Sequence, residues 1–149
     1  MAKNKISEAE YLQIYDVVGA ALEVHNHLGR GLEEAIYQKA MEMELDDRKI
    51  EFDRQKVLNT YYKGRALKKI YVADLYINGI MVELKACGNI DSEHRAQLMN
   101  YMRITKTIRG LLINFGERSL RVERYIYQQD SDDFILLNEY NLNDYVQRT

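Results

Sequence analysis

The sequence predicts an α+β domain in which a mixed central β-sheet is flanked by helices, in the order α-α-β-β-β-α-β-β. Apolar residues recur at helical spacing up to about residue 45, which is typical of amphipathic helices. From Ile50 onward, short apolar runs are separated by turn residues, which is typical of strands. The chain has eight glycines and no proline, so glycines mark most of the predicted element ends.

Two helices are predicted before the first strand. The first begins after Ser7, which forms a capping-box pattern with Glu10, and ends at Gly29. The second begins at Glu33 and Glu34, because acidic residues stabilise the first turn of a helix, and it ends in the charged stretch DDRK. The predicted buried positions are Tyr11, Ile14, Val17, Val18, Ala21 and Leu22 in the first helix, and Leu32, Ile36, Ala40 and Met43 in the second.

Turns and one further helix separate five predicted strands. Lys63-Gly64 predicts a turn, and Asn78-Gly79 predicts a two-residue turn of the primed type that closes a tight hairpin. A third helix, capped by Asp91 or Ser92, is predicted to run to about Thr105. We expect the fourth strand to be buried on both faces and the fifth to be covered on one face. The predicted strands are 50–62, 66–77, 80–86, 108–116 and 120–127.

The bulk composition indicates one globular domain. The chain has 149 residues, 46% apolar and 30% charged, which suffices for one sizeable core. We expect this single domain to consist of a core at about 8–127 and a short packed appendix at 128–149. A net charge of −2 argues against a protein that coats DNA, but it does not exclude an enzyme with a local basic strip.

The sequence also predicts a cytoplasmic protein with no membrane partner. Cys87 is the single cysteine, so the chain cannot form an internal disulfide or a thiolate metal cluster. This composition fits a reducing compartment. No apolar run approaches the ~20 residues that span a bilayer, and the first residues lack the apolar stretch of a secretion signal.

The hairpin around Asn78-Gly79 contains the charged residues of greatest interest. If these two residues form the turn, Asp74 lies directly opposite Glu83, with their Cβ atoms roughly 4.5–5.5 Å apart, and Lys85 is a diagonal neighbour. The opposite side of the hairpin is then a core face made of Ala73, Leu75, Ile77, Ile80, Val82 and Leu84.

Two opposed carboxylates destabilise a hairpin unless their charge is neutralised. A divalent cation can do this, since Mg²⁺ is commonly held by one or two carboxylates together with water and phosphate. A lysine beside such a cation can orient water or stabilise charge on a phosphate, as phosphodiester hydrolysis requires. The alternative interpretation is the solvent face of an edge hairpin, in which Lys85 pairs with both acids.

Three motifs in order extend this pattern along the chain. GLEEAIY contains Gly31, Glu34 and Tyr37 in the pattern G-x-x-E-x-x-Y, and the hairpin supplies D-x8-E-x-K. AQLMNYM then places Gln97 and Tyr101 one helical turn apart. Over about residues 8–127 the chain resembles the GxxExxY family of the PD-(D/E)xK nuclease superfamily, although Ala73 stands where the superfamily signature has proline.

The resemblance implies a metal-dependent nuclease with a particular set of site residues. It places Mg²⁺ or Mn²⁺ at Asp74 and Glu83, with the Leu84 carbonyl as a further ligand and Glu34 in support. It assigns Lys85 to positioning or activating the attacking water, and Gln97 and Tyr101 to holding the site and the nucleic-acid backbone. The implied catalytic residues are Asp74, Glu83, Lys85, Glu34, Gln97 and Tyr101.

The implied partner is nucleic acid, with DNA favoured over RNA, and a homodimer is compatible with the family. Candidate contacts with nucleic acid are Lys63, Arg65, Lys68, Lys69, Arg95 and Tyr37. The lysines and arginines near residue 65 are equally typical of a solvated hairpin tip that guards an edge strand. Two alternatives to an enzyme stay open, namely a catalytically silent nucleic-acid-binding or protein-interaction module and a purely structural oligomer subunit.

Histidines and cysteine contribute less to the functional interpretation. His25 and His27 are two residues apart on a helix and therefore point to different faces. We expect His25 to be structural, and nothing in the sequence supports a role for His94. Cys87 has no histidine partner in the pattern and is expected to be a small buried residue.

Overall fold

The computed structural model describes residues 4–148, and within this range six strands form one mixed sheet in the order β2-β3-β4-β5-β6-β7. The β4–β5 pair is parallel and the other neighbours are antiparallel. A short parallel pair, β1 (Ile6–Ser7) with β8 (Val146–Gln147), lies outside this sheet. The mixed α+β architecture predicted from the sequence is confirmed. The sheet strands are β2 (Asp53–Tyr62), β3 (Arg65–Ile77), β4 (Ile80–Lys85), β5 (Arg109–Asn114), β6 (Arg121–Gln128) and β7 (Asp133–Leu136).

Helices cover both faces of this sheet. The helices are α1 (Glu8–Leu28), α2 (Glu34–Asp47), α3 (Ser92–Thr105) and α4 (Leu142–Tyr145). Helices α1 and α2 pack on one face, in a hydrophobic cluster with Leu75, Val82 and Ile113. Helix α3 packs on the other face, in a cluster with Met81 and Leu112. Because parallel strands require a crossover connection, α3 lies between β4 and β5 in the chain.

The element ends follow the predicted local chemistry. Ser7 and Glu10 form the expected capping box at the start of α1. Asp91 caps α3, and the His94 side chain completes a second capping box by accepting from the Asp91 amide. Asn78 and Gly79 have φ angles of 50° and 81°, which is the left-handed backbone of a primed turn. None of the helices within residues 4–148 is both long and apolar enough to span a membrane.

The predicted buried face of α2 is wrong at three of its four positions, whereas the fourth, Ala40, is half-buried and packs against the core. Leu32, Ile36 and Met43 are exposed, whereas α2 buries Tyr37, Met41 and Leu45. Both sets recur at helical spacing, and contact with α1 and the sheet selects the second set. In the first helix Leu22 is likewise exposed, although Ile14, Val17, Val18 and Ala21 are buried as predicted.

The tail and the strand before it are more integrated than the sequence pattern indicated. Residues 133–136 form β7, which pairs with β6 at the edge of the sheet. The prediction that β6 is covered on one face is wrong for its second half, since residues 125–128 are all buried. Ile126 packs under α1 and α2, whereas Tyr125 and Tyr127 pack under α3. The fully buried β5 is confirmed.

Candidate active site

The carboxyl groups of Asp74 and Glu83 meet where the pairing of β3 with β4 ends. The predicted register is confirmed through the pairs Ile77–Ile80, Tyr76–Met81 and Leu75–Val82. Beyond that point side chains replace the backbone ladder. Glu83 Oε1 accepts from the Asp74 amide at 3.0 Å, and Asp74 Oδ2 accepts from the Leu84 amide at 2.8 Å. These two acids, called the carboxyl pair below, therefore lie across from each other.

Ala73 departs from the predicted core face. It is fully buried, but it lies with Leu58 and Met81 in the cluster under α3 and not with Leu75. On the N-terminal side of Leu75, β3 runs beside β2, and β2 contacts α3. The backbone therefore changes its packing partner immediately before Asp74.

Burial makes the carboxyl pair electrostatically strained. Glu83 is only 2% exposed, and desolvation together with the negative charge of Asp74 raises the pKa of Glu83 to about 9. Desolvation also raises the pKa of Asp74, against the lowering effect of its hydrogen bond from Leu84. At neutral pH the pair therefore retains one proton.

Lys85 belongs to a hydrogen-bonded chain that runs to helix α3. Its Nζ donates to Gln97 Oε1 at 3.0 Å, and Gln97 Nε2 donates to the Tyr101 hydroxyl at 3.1 Å. Gln97 and Tyr101 share one helix face, as their spacing predicts. Desolvation, followed by the charge of Glu83, raises the pKa of Tyr101. The lysine is thus held by one amide, and that amide is held by one hydroxyl.

The solvent-face interpretation of the hairpin is wrong. Glu83 is buried, Lys85 is half-buried, and α3 covers this side of the sheet. Within residues 4–148, no ion pair at 4 Å or less joins Lys85 to Asp74 or Glu83. The ammonium group is held by Gln97, so Lys85 does not neutralise both acids by direct pairing.

Glu34 approaches the carboxyl pair from the first turn of α2. Although its side chain is largely accessible to water, desolvation raises its pKa, and the charges of Lys85, Asp74 and His94 act on it in that order. Helix α2 thus brings Glu34 within electrostatic range of the hairpin. In the described part of the chain, however, no three His, Cys, Asp or Glu side chains are already gathered around one metal position.

Gln38 contacts the site but was not singled out from the sequence. Its Nε2 donates to the backbone carbonyl of Asp74 at 3.0 Å and to Glu42 Oε2 at 3.0 Å. It stands four residues after Glu34 and therefore on the same face of α2. This spacing is the one sequence signal that could have identified it. The contact ties α2 directly to the backbone that carries the Asp74 carboxyl group.

Asn114 fixes the segment that follows Lys85 and was also missed. It is fully buried, donates to the Cys87 carbonyl at 2.9 Å and accepts from the Cys87 amide at 3.0 Å. Gly116 lies against the same segment, since an added Cβ would stand 2.2 Å from the Cys87 carbonyl oxygen. A glycine is therefore required for the close approach of these two backbones. Cys87 itself is half-buried rather than fully buried.

The predicted basic contacts are divided between two places. Lys63, Arg65, Lys68 and Lys69 are exposed on the β2–β3 hairpin, of which β2 forms one edge of the sheet. Lys69 lies over the Tyr71 ring at 5.4 Å, and that ring is 5.7 Å from the Tyr101 ring. Of these four side chains, Lys69 is thus the one that contacts within residues 4–148 link to the site. The exposed edge position also agrees with the edge-guarding alternative.

Arg95 is engaged in an ion pair at the other side of α3. Its guanidinium donates to both carboxylate oxygens of Glu123 at 2.8 and 2.9 Å, and the Tyr125 hydroxyl donates to the same carboxylate at 2.6 Å. These contacts lower the pKa of Glu123 to about 2, with Arg95 as the largest cause. The arginine therefore stabilises the packing of α3 on β6.

The prediction that Tyr37 contacts nucleic acid is wrong. Its side chain is 0% exposed and stacks on Phe115 with ring centroids 4.7 Å apart. Its hydroxyl donates to the Gly29 carbonyl at 2.5 Å and accepts from the Leu32 amide at 3.3 Å. Tyr37 thus orders the turn that leads into Glu34. Its effect on the site acts through the position of α2.

The histidines behave as expected, with one addition. His25 is buried, and its Nε2 lies 3.0 Å from the Glu117 carbonyl oxygen, which is a structural contact. His94, for which the sequence supported no role, lies close enough to influence the Glu34 carboxyl group. Its place in the α3 capping box fixes it at this side of the site.

Comparison with known families agrees with the geometry. Residues 12–125 match the family model described as the PD-(D/E)XK nuclease superfamily. The match covers most of the 149 residues and includes every residue of the carboxyl pair and of the Lys85–Gln97–Tyr101 chain. No curated protein and no solved structure matches the chain. The chain belongs to the PD-(D/E)XK nuclease superfamily.

Proposed function

We propose that this protein is a divalent-metal-dependent nuclease of the GxxExxY family that hydrolyses phosphodiester bonds of nucleic acid, with DNA favoured over RNA. The carboxyl pair carries the proposal, because the buried Glu83 and the half-buried Asp74 face each other beside a lysine that is held in place by α3. Membership of a nuclease superfamily supports the same reaction class.

The donor set of the carboxyl pair fits a hard divalent cation. Mg²⁺ takes oxygen ligands and is usually bound through one or two carboxylates together with substrate phosphate. The pair keeps a proton because it otherwise holds two negative charges in a desolvated place. Asp74 and Glu83, with the Leu84 carbonyl and Glu34 in support, would hold Mg²⁺ or Mn²⁺. When bound, such an ion polarises a phosphoryl oxygen and lowers the pKa of water.

The protein's own residues position the reacting groups. Gln97 directs the Lys85 ammonium, which can donate to the attacking water or to a phosphate oxygen and stabilise the charge that develops there. The Tyr101 hydroxyl accepts from Gln97 and keeps its own proton for a phosphate oxygen. The Leu84 amide fixes the orientation of Asp74. These groups are oriented before substrate arrives, so little reorganisation is required during the reaction.

Cleavage assays with matched variants test this proposal. Single- and double-stranded DNA and RNA are incubated with Mg²⁺ or Mn²⁺ and the wild-type chain, Asp74→Asn or Lys85→Met. Lys85→Met keeps most of the apolar stem but removes the charge, so we expect the rate to fall about 10²- to 10³-fold. Lys39→Ala, an exposed position on α2, is the control. Equal products from wild type and both site variants on every substrate would refute the nuclease.

A silent nucleic-acid-binding module makes the opposite predictions. It would bind nucleic acid with a salt dependence that reflects phosphate contacts, and neither EDTA nor Lys85→Met would change that binding. It would show no cleavage with any metal. Measuring binding and cleavage on the same preparations separates the two functions.

We further propose that the protein acts in the cytoplasm and as a homodimer. The single cysteine supports the compartment. Exposed apolar side chains on α1 and α2 support an assembly that covers them, since Leu12 is 52% exposed, Tyr15 69% and Met43 59%. Sedimentation velocity tests the dimer, and Leu12→Glu is expected to shift it toward a monomer. A monomer at micromolar concentration would contradict the proposed assembly.

A further inference from the structure

A cleft opens between β3 and α3 beside the Lys85 chain. It has a volume of about 300 Å³ and is called the tyrosine cleft below. Five of its six residues recur along α3 at spacings of three and four, so one helix face forms one wall. Tyr71 of β3 contributes to the cleft from outside this helix. The lining residues are Tyr71, Glu93, Ala96, Gln97, Asn100 and Tyr101.

The walls of the tyrosine cleft suit a flat aromatic ligand. The Tyr71 ring is 37% exposed and lies 5.7 Å from the Tyr101 ring at an angle of 52°. Ala96 is small, so the helix wall leaves space at its position. Aromatic side chains of this kind provide stacking platforms for nucleobases, since every base has a π-face.

Charge and position connect the cleft with the proposed reaction site. Gln97 lines the cleft and also accepts the hydrogen bond from Lys85. A ligand in the cleft therefore lies one side chain away from the lysine. Lys69, whose ammonium lies 5.4 Å from the Tyr71 ring centroid, brings a positive charge to the same ring. A nucleotide could thus place its base in the cleft and its phosphate near a cation.

We propose that the tyrosine cleft binds one unpaired nucleobase, stacked on Tyr71, so that the substrate is single-stranded nucleic acid. The inference rests on the proposed nuclease function and specifies its substrate class. The volume lies at the lower end of the range for ligand pockets and is large enough for one base. A base inside a duplex is stacked on both faces and must leave the helix to enter such a cleft.

Binding measured in EDTA tests the cleft without any contribution from cleavage. The probe is a single-stranded oligodeoxynucleotide of about ten nucleotides that contains 2-aminopurine, compared with its duplex. Stacking on Tyr71 is expected to quench the 2-aminopurine emission. Tyr71→Ala is expected to weaken binding roughly 5- to 100-fold and to restore the emission. Tyr71→Phe is expected to retain tight binding and the quenched emission, because it keeps the aromatic ring.

A second variant and a control keep this test independent of folding. Ala96→Leu leaves Tyr71 in place but fills the cleft, and it is expected to weaken single-strand binding as well. Tyr140→Ala, at a tyrosine that is 89% exposed in the tail, is expected to leave binding unchanged. Thermal unfolding of each variant confirms that the chain is folded before binding is compared.

The possible results separate the cleft from the nuclease. Three results would refute base binding in the tyrosine cleft. They are duplex binding as tight as single-strand binding, no single-strand binding at low salt, and no effect of either cleft variant on binding. Single-strand binding that depends on Tyr71, with no cleavage in Mg²⁺ or Mn²⁺, supports the cleft and refutes the nuclease alone. Duplex cleavage that Tyr71→Ala leaves unchanged refutes the cleft alone.

Discussion

Replacing Glu83 with glutamine should stabilise the metal-free protein at alkaline pH and leave it nearly unchanged at acidic pH. The pKa of Glu83 is about 9 in the folded chain and roughly 4.3 in an unfolded one. Between these values the folded chain binds more protons than the unfolded chain, so stability falls as pH rises. This contribution is complete below about pH 4 and is lost progressively toward pH 9.

The magnitude follows from the proton that the unfolded chain releases. Each pH unit within the window changes the free energy of unfolding by at most about 1.4 kcal/mol for one proton. Between pH 5.5 and 7.5 the loss is therefore up to about 3 kcal/mol. Coupling to Asp74 distributes the titration over two groups and makes the observed slope shallower. The glutamine can still accept from the Asp74 amide and has no proton to lose.

Urea unfolding in EDTA at several pH values measures this effect. The quantity of interest is the difference in unfolding free energy between wild type and Glu83→Gln, because the titration of other groups cancels in that difference. We expect the variant's advantage to grow from pH 5.5 to 8.5. Glu139→Gln, at an exposed tail position, serves as the control. A difference that stays constant across this range would show that Glu83 does not retain its proton.

Three further predictions concern the surroundings of the carboxyl pair. Mg²⁺ or Mn²⁺ should stabilise wild type by about 1.4 kcal/mol at tenfold excess over Kd, more strongly at higher pH, and Glu83→Gln should lose this shift in thermal unfolding. Gln38→Ala should weaken metal binding about 10-fold in calorimetric titration, while Lys39→Ala should not. Arg95→Met should cost about 2 kcal/mol in urea unfolding at pH 7. This cost should shrink as pH falls toward 2. The lowered pKa of Glu123 stabilises the folded chain fully above the usual pKa of a glutamate, and this stabilisation is lost as pH falls toward the folded value.

The hairpin could be predicted from the sequence because its determinants are local. Asn78-Gly79 fixes the turn, the turn fixes the register, and the register brings Asp74 opposite Glu83. The same reasoning placed Gln97 and Tyr101 on one face of α3, since spacing alone determines that relation. None of these inferences depends on how distant segments pack.

The remaining contacts could not be predicted because they join distant parts of the chain. Gln38 reaches the Asp74 carbonyl across 36 residues, and Asn114 reaches Cys87 across 27. A polar side chain that bonds to a remote backbone group leaves no periodic pattern in the sequence. The buried face of α2 was also undetermined, since Ile36 and Tyr37 begin two equally apolar stripes. Tertiary packing selected the stripe that contains Tyr37.

A comparison of two buried glutamates supports the proposal that the carboxyl pair binds a cation. Glu83 and Glu123 pair with Leu112 from opposite sides in neighbouring strands, and both are nearly inaccessible to water. Arg95 and Tyr125 neutralise and hydrogen bond Glu123, and its pKa falls to about 2. Glu83 faces another acid instead, and its pKa rises to about 9. On the same face of one sheet, the chain thus compensates the charge of Glu123, whereas the charge of Glu83 requires a proton or a cation. A cation is what the proposed nuclease would bind there.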